Sequence, residues 1–164
     1  MAKQLPLPDC PYTIAYDVLV KTMKADPLLR RTVKTWLTFT DEADQPADSS
    51  ATYPSVMMYG AAQPATPFSQ IHQDAPFGVT IILRTDGMDL RDNLNLWGAI
   101  SNALFKGDGL ATLNRATKAA VQGKGADFNR WRIMTPPISP VADPRTARMV
   151  ETKGILIADM HVKQ

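Results

Sequence analysis

The sequence predicts an α+β domain: a mixed, mainly antiparallel sheet of about four to six strands with helices packed on one face. Three observations carry this prediction. Val79 to Thr85 is a β-branched and aliphatic run bounded by Gly78 and by Asp86-Gly87, which reads as a buried strand. Immediately afterwards Leu90, Leu94, Trp97, Ile100 and Leu104 recur at helical spacing, with Arg91, Asp92, Asn93 and Asn95 mostly on the other side. VKTWLTF at 33–39 and FNRWRIM at 128–134 alternate with the period of a strand that has two unlike faces.

Around this spine the remaining elements follow in order. Residues 1–12 hold Pro6, Pro8 and Pro11 and read as an extended arm, leaving 13–164 as a single α+β domain. Thr13 is positioned to cap a first helix whose apolar face is Ala15, Val18, Leu19 and Met23. Asp26-Pro27 interrupts it, because proline lacks the N–H that a helix interior needs; Asp26 then caps a separate short turn over Leu28 to Arg31. The strand at Val33 to Phe39 is followed by the acidic, aperiodic stretch Asp41 to Thr52 and a short strand, Val56 to Tyr59.

Gly60 to Phe77 reads as a long connection with Pro64, Pro67 and Pro76. Its apolar residues Phe68, Ile71 and Phe77 either pack back on the domain or dock on another subunit. Asp89 is placed to cap the central helix, and Gly107 and Gly109 to end it. Leu110 to Val121 reads as a further helix stopped by Gly123-Lys124-Gly125, and Phe128 to Met134 as a strand closed by Pro136-Pro137. Ala147 to Val162 reads as one long strand or as a hairpin broken at Lys153-Gly154.

Composition narrows the chemistry. A chain of 164 residues is long enough for a sizeable single core. The 18 Lys and Arg against 16 Asp and Glu leave +2, too little to mark a nucleic-acid binder by net charge. One cysteine, Cys10, forbids an intramolecular disulfide, and with only His72 and His161 beside it no zinc site of Cys and His ligands assembles within one chain. No run approaches the roughly 18 apolar residues of a membrane helix, so a protein made and used without crossing a membrane is expected.

Neither histidine lies in a nucleophile pattern: His161 reads as a solvent-facing strand residue and His72 as a polar loop contact, so no enzyme activity, cofactor or metal is expected. Turn and capping duties account for Asp86, Asp89 and Asp92, which lack the spacing of a calcium loop. Arg130, Trp131 and Arg132 suggest a nucleic-acid-binding module, two cations to neutralise phosphate and an indole to stack on a base. Arginines on one strand face serve acidic partners equally well.

In the order of its elements the chain resembles the tail terminator or tail completion proteins of long-tailed bacteriophages. The resemblance runs over roughly Thr13 to Val162 and rests on the first helix, VKTWLTF, the Pro-led strand PSVMMYG, GVTIILRT passing through DGMD into LRDNLNLWGAISNALF, and the late strands. It is a likeness of pattern rather than of a signature motif. It implies a non-catalytic virion protein of the neck, assembled as a homo-oligomeric and expectedly hexameric ring. Such a ring caps the tail tube, joins it to the head connector, and makes only non-specific contact with DNA passing through its lumen. The interface residues this implies are Asp41, Phe68, Ile71, Phe77, Arg130 and Arg132, on the two long loops and one strand face.

Overall fold

The computed structural model describes residues 10–38, 52–62, 66–67, 72–86, 90–135, 141–142 and 149–163. Four helices, α1 (Pro11–Ala25), α2 (Pro27–Thr32), α3 (Leu90–Phe105) and α4 (Gly109–Val121), lie against one face of a sheet. The sheet's body has five strands: β1 (Thr35–Leu37), β2 (Ser55–Ala62), β5 (Phe77–Asp86), β8 (Met149–Lys163) and β6 (Ala126–Thr135), in that spatial order. Short segments β3 (Thr66–Pro67), β4 (His72–Asp74) and β7 (Val141–Ala142) extend it to eight strands. Among the described residues only β1 and β2 pair in parallel; every other pair there is antiparallel. The predicted α+β class, with helices on one face of a mixed and mainly antiparallel sheet, is what forms.

The central strand is the last one in sequence. β8 runs unbroken through Lys153-Gly154, so the hairpin alternative is wrong: Gly154 stays in register opposite Ile81. One edge of β8 pairs with β5 and then with β4; the other pairs with β6 and β7. The stretch expected as one long loop from Gly60 to Phe77 is therefore partly sheet. β2 continues to Ala62, and β3 and β4 form an antiparallel pair docked by His72↔Lys163 through Asp74↔His161.

Alternation along the strands builds the core. Val56 and Met58 of β2, Phe77, Val79, Ile81 and Leu83 of β5, and Leu156, Ala158 and Met160 of β8 form one cluster with the helices. α1 contributes Ala15, Tyr16, Leu19 and Met23, and the Tyr16 hydroxyl donates to the Met58 carbonyl at 2.6 Å. The helix begins at Pro11 rather than at the Thr13 cap expected, because proline at its first position sacrifices no hydrogen bond. Asp26 does cap α2, its Oδ1 accepting from Leu28 N and Leu29 N, each at 2.9 Å.

Three expectations shift in detail. The first strand is shorter than VKTWLTF, and its Phe39 lies outside the described residues. The buried face of α3 is rotated: Asn93, Leu96, Trp97, Ala99, Ile100 and Leu104 are inside, while Leu90 and Leu94 are 52% and 46% exposed. In β6 a bulge between Phe128 and Arg130 breaks the simple alternation, so Phe128 and Trp131 both enter the core. The turn that ends α3 and the stop after α4 use Gly107 and Gly123 at φ 57° and 77°, a region that side chains with a Cβ avoid. The Asp89 cap lies outside the described residues.

Candidate assembly surface

None of the described helices packs on the second face of the sheet, where Ile82 and Ile157 are nonetheless buried, and its rows follow from register. Met57, Ile82 and Lys153 stand side by side, as do Tyr59, Thr80 and Ile155. Arg84 faces Glu151 on β8 and bonds it at 3.0 Å, in a partly buried pair. At the far edge Arg130 and Arg132 of β6 flank Asp159 of β8. Arg132 Nε donates to both Asp159 oxygens at 2.9 and 3.1 Å, and Arg130 Nε reaches Oδ2 at 3.4 Å.

The bulge in β6 explains this corner. By leaving Asn129 without a partner on β8, it aims Asn129 Nδ2 at His161 Nε2, 2.6 Å away, and turns Arg130 and Arg132 to the same side as Asp159. Together with Pro76 and Met160 these residues line an open cleft of about 490 Å³ whose walls are as apolar as they are polar. One carboxylate shared by two guanidiniums leaves local positive charge, and both arginines keep much of their surface in water, at 69% and 43% of the side chain. The arrangement suits a charged or polar partner surface. Among the described residues no group of three or more His, Cys, Asp or Glu is placed to hold a metal ion.

The residues singled out from sequence separate accordingly. Arg130 and Arg132 are brought together and exposed on this face. Phe77, expected at an interface, is buried within its own chain: it is 5% exposed, its ring packs tilted against Tyr12 at 5.4 Å between centroids, and it covers Gly60 in the neighbouring strand. An apolar ring at the start of a central strand is worth more inside the core than at a rim. Asp41, Phe68 and Ile71 lie outside the described residues.

Trp131 cannot stack on a base. It is 1% exposed, its Nε1 donates to Thr117 Oγ1 at 2.9 Å, and its backbone N–H donates to Asn114 Oδ1 at 2.7 Å. Both partners sit on α4, so this tryptophan locks the helix to the sheet while its neighbours face the other way. The nucleic-acid reading thereby loses its aromatic platform. Asp159 and Asn129, which complete the arginine corner, were not visible in the sequence: their role depends on pairing β6 with a strand nearly thirty residues later and on the bulge within that pairing.

No protein-family model and no curated protein matches the chain. Among solved structures it is similar to a chain of the virion of a native gene transfer agent particle. The two share 15% sequence identity at a TM-score of 0.51, over 89% of this chain and 92% of that one. At that identity the likeness is one of fold, and this chain shares its fold, over almost its whole length, with a chain of that virion.

Proposed function

We propose that the protein is a structural subunit of a phage-type virion, acting at the head–tail joint as a tail terminator-type ring that caps the tail tube and meets the head connector. The observation that carries this reading is the fold shared along nearly the whole of both chains, the other being a chain of a gene transfer agent virion. Two features of the described residues support it. The sheet is open and its two edges are unlike, the three-residue β1 on one side and the ten-residue β6 on the other. Unlike edges favour a head-to-tail contact between copies, which closes into a ring when the rotation allows.

The helix-free face also mixes its charges, Arg84, Lys153, Arg130 and Arg132 against Glu151 and Asp159. Such a face lets DNA pass through a lumen without strong retention by phosphate contacts. The work is done by surfaces, without catalysis, on partners that are other copies, the tube protein and the connector.

The test is the native mass of the purified chain across a concentration series, with negative-stain images of large species. A closed ring of about six copies is the expected result. A monomer that neither self-associates nor joins purified tail tubes would overturn the reading.

A further inference from the structure

Arg130 and Arg132 share Asp159 through one nitrogen each. Both guanidiniums engage the carboxylate by Nε, and among the described residues no hydrogen bond is made by any of their Nη nitrogens. The carboxylate therefore fixes two guanidiniums while their outer forks stay available, and such a fork can grip an oxyanion with two parallel N–H bonds.

The same chain carries a segment of matching chemistry. Residues 41–48, DEADQPAD, hold four carboxylates beside Ala43, Pro46 and Ala47, and no Lys or Arg occurs between Lys34 and Arg84. We propose that the arginine corner of one copy receives the acidic segment Asp41 to Asp48 of a second copy. The corner suits an acidic peptide better than a nucleic acid. Asp159 leaves it one net positive charge, Pro76 and Met160 make its cleft partly apolar, and Arg84 on the same face is already paired with Glu151. A phosphodiester chain wants several cations in a row; a carboxylate with small apolar neighbours needs one anchored pair.

Residues 41–48 lie outside the described residues, but an anchor on each side of them is described. Thr38 follows β1 and is buried; Thr52 is tied to Thr35 of β1, whose Oγ1 donates to the Thr52 carbonyl at 2.8 Å and accepts from its N–H at 3.1 Å. β1 and β6 are the outer strands of the five-strand body, and Thr35 lies in the row of Ser55, Arg84 and Glu151, far along β8 from Asp159. From strand spacing and rise, the corner is roughly 30 Å from Thr52 and roughly 25 Å from Thr38. Stretched fully, the chain between these anchors reaches about 50 Å, so an excursion to its own corner and back leaves no length to lay several carboxylates there. From the β1 edge of a neighbour placed head to tail, the segment faces the β6 edge instead. The proposal rests on the ring reading only in requiring that copies of the chain meet head to tail.

The experiment uses two charge-reversed full chains and reads association by native mass across a concentration series. One carries Arg130→Glu and Arg132→Glu; the other carries Asp41→Lys, Glu42→Lys, Asp44→Lys and Asp48→Lys. Each alone should associate at least about tenfold more weakly than the native chain, because like charges meet at the contact, and mixing the two should restore association. Recovery on mixing belongs to a contact in trans, since a contact within one chain stays repulsive in both proteins. The neutral pair Arg130→Gln and Arg132→Gln should weaken association with an unchanged circular dichroism melt, which separates loss of contact from loss of fold. Undiminished association of either reversed chain, no recovery on mixing, or the same recovery with Arg30→Glu and Arg31→Glu in place of the corner pair would each overturn the proposal and leave a native ring standing. DNA binding lost from the arginine variant with its assembly intact would assign the corner to nucleic acid instead. A native chain that stays monomeric at every concentration would overturn the proposal together with the ring reading, whereas recovery on mixing in species that are not rings would leave it standing and remove the ring reading alone.

Discussion

Asn93 on the buried side of α3 accepts a hydrogen bond from the hydroxyl of Thr152 in the central strand, and the same amide donates to Thr85 Oγ1 at 2.9 Å and to the Val150 carbonyl at 3.2 Å. All three side chains are buried. One amide therefore fastens the helix to β5 and β8 and fixes its rotation. Asn93→Ala should cost about 2–3 kcal/mol, because two buried hydroxyls lose their partner. Asn93→Leu should not restore stability. Adding Thr85→Val and Thr152→Val should recover much of it, since removing every polar member leaves no group unsatisfied. Urea unfolding midpoints of the single and triple variants check this, and a triple variant no better than Asn93→Leu would contradict it.

Gly60 and Phe77 form a second dependence, between β2 and β5. A methyl group on Gly60 would overlap the far edge of the Phe77 ring, which lies against the glycine. Gly60→Ala should therefore destabilise by about 1–3 kcal/mol, although strand residues ordinarily gain from replacing glycine. In the background of Phe77→Leu the same change should cost much less, giving a coupling of about 1 kcal/mol or more in a double-mutant cycle of melting curves. Additive effects would mean that the ring moves aside freely.

These two contacts mark where sequence reading succeeds and where it stops. The strand at Val79 to Thr85 and the Asp26 cap were legible because each rests on neighbours within a few residues. The rotation of α3 was not. Leu90, Leu94 and Trp97 match the helical period as well as Asn93, Trp97, Ile100 and Leu104 do, and only the hydroxyls of Thr85 and Thr152 decide that an asparagine goes inside. The same holds at the candidate surface. Arg130 and Arg132 could be named from alternation, but the burial of Trp131 follows from a bulge and from α4 side chains that pair only in three dimensions.

Cys10 stands just before α1, where its thiol meets Thr13 Oγ1 at 3.0 Å. Partial burial by itself pushes the thiol up. Hydrogen bonds from the Thr13 side chain and from the backbone at the helix start outweigh it and hold the group below its ordinary value. The folded state thus prefers the thiolate: the associated stability is present above the ordinary thiol range and fades as pH falls through the folded value. Iodoacetamide labelling of the native protein should reach half its maximal rate at lower pH than labelling of the urea-unfolded chain. Thr13→Val should move the native midpoint upward, and a native profile at or above the unfolded one would refute the assignment.

Asp159 sits between Arg130 and Arg132 and neutralises part of their charge, within 2.9 to 3.4 Å of both Nε atoms. At this exposure the ion pairs themselves add little to stability, about 0–1 kcal/mol, so Asp159→Asn should melt close to the native protein. Its effect should appear with polyanions. Two guanidiniums released from a shared carboxylate each become available to a phosphate, and every phosphate neutralised on a single strand steepens the dependence of log affinity on log salt by roughly 0.7. Asp159→Asn should therefore bind single-stranded DNA more tightly at low salt, with a slope steeper by about one such step and little preference among sequences. Trp131→Ala should act differently, lowering stability by about 3–5 kcal/mol through the loss of a buried ring anchored to α4. Fluorescence titrations at several salt concentrations, beside thermal melts of both variants, separate the two. Unchanged DNA binding in Asp159→Asn would mean that the carboxylate does not limit the arginines, and DNA binding lost in a folded Trp131→Ala variant would return the tryptophan to the surface.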